Sequence, residues 1–223
     1  MRIELKDIPL REALHFLGWH GTPLEPELKA QIQALSARAL AEIQPRIVLR
    51  HFPLDARGHL TGTSFAPLGE DVRAMLAPCH EAVLLAATLG AASERLLLRE
   101  QARSAADAVL MDAVLSAAIE EVCDRAEAAL RREAAAQGLY LTDRFSPGYG
   151  DMPLRQSREI CEVLSVNRAI GLTVSSSGIM IPRKSVTAIM GVSRGPVARR
   201  PSGCAGCSAR ATCLLARRDG ANA

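Results

Sequence analysis

From Ala91 to Gln137 the chain carries neither glycine nor proline, and nearly every residue in the stretch favours helix. That span alone places a helical layer at the centre of any fold the chain adopts. Its pattern predicts two helices, broken near Arg103 and Ser104, the first carrying Leu96 to Leu98. The second is apolar on all sides between Ala108 and Ile119, as a buried central helix would be, and turns amphipathic and charged after Glu120. Four Phe, two Tyr and one Trp leave the core aliphatic and alanine-based. This argues against a sandwich or barrel, and against the stacking platforms of single-stranded nucleic-acid binders.

Around that layer the remaining patterns are shorter. Ile8 to His20 places Leu10, Ala13, Leu14 and Leu17 at helical spacing, and Pro26 to Gln44 does the same with Leu28, Ile32, Leu35, Ala39, Leu40 and Ile43. Arg46 to Phe52 is β-branched and bounded by prolines, which predicts a strand. Asp55 to Gly58 reads as a turn and His59 to Phe65 as its partner strand, giving a weak hairpin. Gly69 to Met75 predicts a helix, Glu81 to Gly90 an apolar strand, and Pro153 to Leu164 another helix. Gly171 to Ser175 and Val186 to Val192 are expected as strands around the turn Ser175-Ser176-Ser177-Gly178. The expected fold is α+β, helices packed on a small, mainly antiparallel sheet. Composition shifts after residue 192, so residues 1–192 are expected as one unit and residues 193–223 as a basic, cysteine-bearing tail.

A net charge of +3 is too small to imply a polyanionic partner, and no run of apolar residues is long enough for a membrane span. The first residues mix charges without an apolar export signal, so a cytoplasmic protein with reduced thiols is expected. No Walker loop, dinucleotide fingerprint or Gly-x-Ser-x-Gly elbow is present, and the five histidines have no metal spacing.

Three features could carry chemistry. The loop Asp143-Arg144-Phe145-Ser146-Pro147-Gly148-Tyr149-Gly150-Asp151 holds one proline and two glycines, allowing backbone conformations that bring N–H and C=O groups close to a ligand. Arg144 would add a planar fork for a carboxylate; the plainer reading is a structural turn with a solvated Arg and a packed Tyr149. Asp112, Ser116 and Glu120 share one face of the central helix. An acid among apolar neighbours is either capped or ion-paired with an arginine, or lines a cleft for a cationic or hydroxylated ligand. Cys204, Cys207 and Cys213 lie close together with Gly203 and Gly206 between them. They suit an iron–sulfur cluster, a zinc site borrowing a distant ligand, or free thiols. Cys79, Cys123 and Cys161 stand singly and read as packing residues.

The Arg144-Phe145-Ser146-Pro147-Gly148-Tyr149-Gly150-Asp151 loop resembles the activation (reactivation) domain of vitamin B12-dependent methionine synthase, in its short stand-alone form. The early Arg11 to Gly18 helix, the Thr88-Leu89-Gly90 strand end, the helix with Asp112 and Glu120, and Ile181 to Gly191 follow in the same order. The resemblance implies binding of S-adenosylmethionine and the reductive methylation of cob(II)alamin held by a partner, a cobalamin-dependent methionine synthase or related corrinoid protein. The electron would come from a donor such as flavodoxin or ferredoxin. Carried over by position, Arg144 would hold the ligand's carboxylate, and Ser146, Pro147 and Gly148 would line the site through their backbones. Tyr149 would sit between ligand and corrin, while Asp112 and Glu120 would balance ammonium or sulfonium charge. No cobalamin-binding Asp-x-His-x-x-Gly motif is present, and no tyrosine follows Tyr149, where the Arg/Cys tail replaces the family's continuation. The rival expectations are a non-catalytic docking subunit for a corrinoid protein, and an electron-transfer adaptor with an iron–sulfur cluster in the tail.

Overall fold

The computed structural model describes residues 4–19 and 23–198. Two helices open the chain, α1 (Leu10–Phe16) and α2 (Pro26–Glu42), followed by strand β1 (Arg46–Pro53), helix α3 (Glu70–Leu76) and strand β2 (Glu81–Thr88). Helices α4 (Ala91–Arg103) and α5 (Ala105–Ala136) come next, then β3 (Tyr140–Leu141), α6 (Gln156–Leu164), α7 (Val166–Ile170), β4 (Thr173–Val174), β5 (Met180–Ile181) and β6 (Ser185–Ser193). The fold is α+β.

Four strands form one antiparallel sheet in the order β1-β2-β6-β3, with β4 and β5 making a separate two-stranded ribbon. The continuous apolar run in β2 follows from its place: it is paired on both edges and covered on both faces. Val83, Leu85 and Ala87 join Ile47, Ala188 and Met190 in a core beneath α1, α2, α4 and α5. Ala82, Leu84, Ala86 and Ile189 point the other way, into a second core with α3, α6 and α7. Side-chain alternation thus turns one apolar strand into the centre of a three-layer molecule.

The helical layer breaks where the sequence predicts. Ser104 ends α4 in extended conformation (φ −158°, ψ 121°) and caps α5 by accepting from the Asp107 N–H at 3.2 Å. Buried Glu100 of α4 pairs with Arg38 of α2, locking those two helices together.

Three expectations fail. His59 to Phe65 is not a strand: β1 pairs with β2, and the loop contributes only an isolated Leu54–Leu60 bridge. Gly62, at φ 80°, bends the chain away from any ladder there. The partner of β4 is β5, whereas Val186 to Val192 enters the main sheet as β6. Finally, the central helix is not buried all round, since Val109 is 61% exposed and Asp112 also faces outward.

Candidate functional site

Helix α5 carries a polar stripe built from residues three and four apart, which bring side chains onto one face. Asp112, Ser116, Glu120, Asp124, Glu127 and Arg131 run along it in order. Two segments from elsewhere meet this stripe. Lys184, entering β6, places Nζ 2.8 Å from both Asp112 Oδ1 and Ser116 Oγ. The segment after β3 brings Asp143 and Arg144 against its C-terminal half.

Arg144 is the hub. Its Nε donates to Glu127 Oε2 at 2.9 Å, its Nη2 reaches Glu120 Oε2 at 3.3 Å, and Nη2 also pairs with Asp124. Arg131 extends the network, donating to Glu127 Oε1 at 2.6 Å, Asp143 Oδ1 at 3.1 Å and the Leu141 carbonyl at 2.6 Å. Burial works against the Arg144 charge, but Cys123, Glu120 and Asp124 outweigh it and hold its pKa above the ordinary arginine value. Burial raises the Asp124 carboxyl against the pull of Arg144, with Glu120 and Glu127 adding to the rise. Along the whole face five carboxylates (Asp112, Glu120, Asp124, Glu127, Asp143) meet three cations (Lys184, Arg131, Arg144), so the stripe keeps an excess of negative charge.

The loop beyond Arg144 is anchored at both ends. Phe145, 2% exposed, exchanges two backbone hydrogen bonds with Ile189 of β6, at 2.9 and 2.8 Å. At the other end Asp151 caps α3 from a distance in sequence, accepting from the Glu70 N–H at 2.5 Å and the Asp71 N–H at 3.2 Å. Two glycines make that docking possible. A Cβ on Gly69 (φ 116°) would stand 2.5 Å from Asp151 Oδ1, and one on Gly150 (φ 53°) would strike the Asp71 carboxylate. Between the anchors a tight turn closes through Tyr149 N–H to Ser146 O at 3.1 Å and Gly148 N–H to Met152 O at 2.9 Å. Tyr149 stands at its tip, 68% exposed.

The structure therefore brings Arg144 and Glu120 together. Asp112 lies about 12 Å further along the helix axis, two turns away. Asp112 is not a buried acid; it is exposed, and its partner is Lys184 rather than an arginine. The Arg144 fork is turned onto three carboxylates of this chain, and it is neither solvated nor facing an open space. Tyr149 is largely exposed. Ser146 and Pro147 lie inside the turn, with the Ser146 carbonyl and the Gly148 N–H engaged in closing it. The i, i+4 spacing that marked Asp112, Ser116 and Glu120 continues to Asp124 and would have found it. Lys184 and Asp151 lie in segments the sequence singles out, but their partners are far away in sequence and leave no signal. Cys204, Cys207 and Cys213 lie outside the described residues. Among those described, no group of three or more His, Cys, Asp or Glu side chains is arranged to hold a metal, and no helix is long and apolar enough to cross a membrane. Cys123 and Cys161 are buried and Cys79 partly so.

No family model matches the chain, and no curated protein does. A solved structure does: the MetH reactivation domain bound to AdoHcy, with a TM-score of 0.57 at 17% identity, over 82% of this chain and 74% of that one. The likeness is one of fold. It spans most of the described architecture, and this chain has the fold of that reactivation domain.

Proposed function

We propose that the chain binds S-adenosylmethionine, or a closely related adenosyl sulfonium, where the Arg144–Asp151 loop meets the acidic face of α5. There it would support reductive methylation of cobalamin on a partner protein, within methionine synthesis. The carrying observation is the coincidence of two things. The fold is that of a domain solved with AdoHcy, and the loop that suggested the resemblance sits on a face with more carboxylates than cations. An acidic face suits a ligand with sulfonium and ammonium charges. Glu120, Asp124 and Asp112 are the groups to balance them. Arg144 would orient those acids first and meet a ligand carboxylate only if one of them gives way. Tyr149, exposed at the tip of the turn, would be the side chain to meet a corrin presented by another protein.

The ligand would supply an activated methyl group and leave as S-adenosylhomocysteine, and the electron that cob(II)alamin first requires would come from a flavodoxin- or ferredoxin-type donor. What the chain contributes is positioning, which can lower such a barrier by several kcal/mol. Residues 1–192 would form this unit. The tail, with Cys204, Cys207 and Cys213 as an iron–sulfur or zinc site, would serve the electron donor or the docking. Titration calorimetry with S-adenosylmethionine, with and without a cobalamin-loaded methionine synthase or corrinoid protein, tests the proposal. Saturable binding and return of methylcobalamin absorbance are expected. A second reading is a docking subunit that binds no adenosyl ligand; the full engagement of Arg144 by Glu120, Asp124 and Glu127 favours it. Absence of binding with stable association to the corrinoid protein would select that reading.

A further inference from the structure

On the opposite face of the sheet from the α5 stripe, a cavity of about 550 Å³ opens between β1, the loop before α3 and helix α6. Its size falls within the range of small-molecule sites. Phe52 and buried Phe65 form an apolar lining, and Ser64 adds a hydroxyl at the rim. Arg50 of β1 stands among the lining residues, as do Glu159 and Glu162 of α6. Opposite charges sharing one cavity would ordinarily close on each other. Here, among the described residues, neither glutamate pairs with a cation, and Arg50 makes only a long 3.5 Å contact from Nη1 to the Val163 carbonyl. Arg158, one turn before Glu162, is turned away to the Ser175 carbonyl.

One of the acids is also held in place. Gln156, fully buried, donates to Glu159 Oε2 at 3.1 Å. The same amide is locked by the Ala66 carbonyl at 2.9 Å and the Leu68 N–H at 2.8 Å. Glu159 is thus oriented by a buried side chain that has no freedom to follow it elsewhere, which is how a binding group is pre-organised.

From these contacts we infer that the cavity binds a small zwitterion with an apolar body, a free α-amino acid with an aliphatic side chain. The carboxylate would take the Arg50 fork, the ammonium would take Glu159 and Glu162, and the side chain would rest on Phe52 and Phe65. The inference is independent of the adenosyl-ligand proposal, because no hydrogen bond or ion pair of Arg50, Glu159 or Glu162 involves α5 or the Arg144 loop.

L-Leucine is the probe, followed by calorimetry and by ¹⁵N chemical-shift mapping on the full chain. Saturable binding is expected, with shifts at Phe52, Ser64 and Val163. Two one-ended analogues, 4-methylpentanoate and 3-methylbutylamine, should each bind roughly tenfold or more weakly, since each leaves one charged wall unpaired. Arg50→Gln should abolish the preference for leucine over the amine, and Glu159→Gln with Glu162→Gln the preference over the acid. All three side chains reach the surface of the cavity, so thermal melting should show the variants folded. Absence of saturation up to about 10 mM leucine, analogues binding as tightly as leucine, or shifts confined to α5 and the Arg144 loop would each overturn the inference.

Discussion

The two halves of the Asp143–Asp151 loop do opposite things with the same stretch of chain. Its first half is tied inward: Arg144 enters a carboxylate network and Phe145 extends the sheet beside β6. The second half closes as a tight turn anchored at Asp151, and what it carries at its tip is an exposed tyrosine. From the sequence, Arg144 is either a fork for a ligand or a solvated side chain, and Tyr149 either a packed ring or, by resemblance, the face toward a corrin. In the structure Arg144 engages acids of this chain and Tyr149 is largely exposed. An arginine beside a turn is therefore not evidence of a free fork; the acids available to it decide.

That contrast can be broken by mutation. Arg144→Ala should have the largest effect on stability. It leaves Glu120, Asp124 and Glu127 facing one another, and a loss of about 2–3 kcal/mol is expected, below a fully buried pair because Asp124 is open to water. Urea unfolding measures it, and an unchanged midpoint would return Arg144 to the surface. Asp151→Ala should come next, at about 1 kcal/mol, the usual worth of a helix cap. Asp151→Asn should recover most of that loss, since an amide oxygen caps equally well.

Acid–base behaviour sharpens the comparison. Asp124 has a folded pKa raised above its unfolded value of 3.8, so between those two values the folded state holds more proton than the unfolded one. Stability should fall as pH rises through that window, and Asp124→Asn should flatten this part of the profile. A profile identical to the parent's would mean Arg144 fully compensates the acid. Tyr149→Ala should be the mildest change, within about 0.5 kcal/mol of the parent, because the side chain sits at an exposed tip. If the adenosyl-ligand proposal is right, the same variant loses most methylcobalamin recovery while Tyr149→Phe keeps it. A destabilised Tyr149→Ala would show that the tip is packed after all.

The helical layer was legible because its signals are local. Propensity, the absence of glycine and proline, and a capping serine at Ser104 all act within a few residues. The sheet was legible in its three long strands, β1, β2 and β6, but not in the two-residue β3 or in its pairing. Arg46 to Phe52 is paired with Thr88 to Ala82, in antiparallel register, rather than with the adjacent loop, and nothing in the strand itself names its partner. The same division holds in the site. Helical spacing put Asp112, Ser116 and Glu120 on one face, whereas Lys184 and the Asp151 cap depend on contacts between distant segments. Asp112 is exposed despite its apolar neighbours, because neighbours in sequence say little about which side of a helix faces water.

Strand β2 has neighbours on both edges and helices over both faces. Its amides would therefore be the last to exchange with deuterated solvent, opening only with the whole molecule. The two polar regions sit on either side of that slow centre, the α5 stripe above and the α6 cavity below. Each can then loosen, or change partners, without unzipping the strand that separates them. A label pattern with two early-exchanging rims and one protected spine is what such a division of the molecule would look like over time.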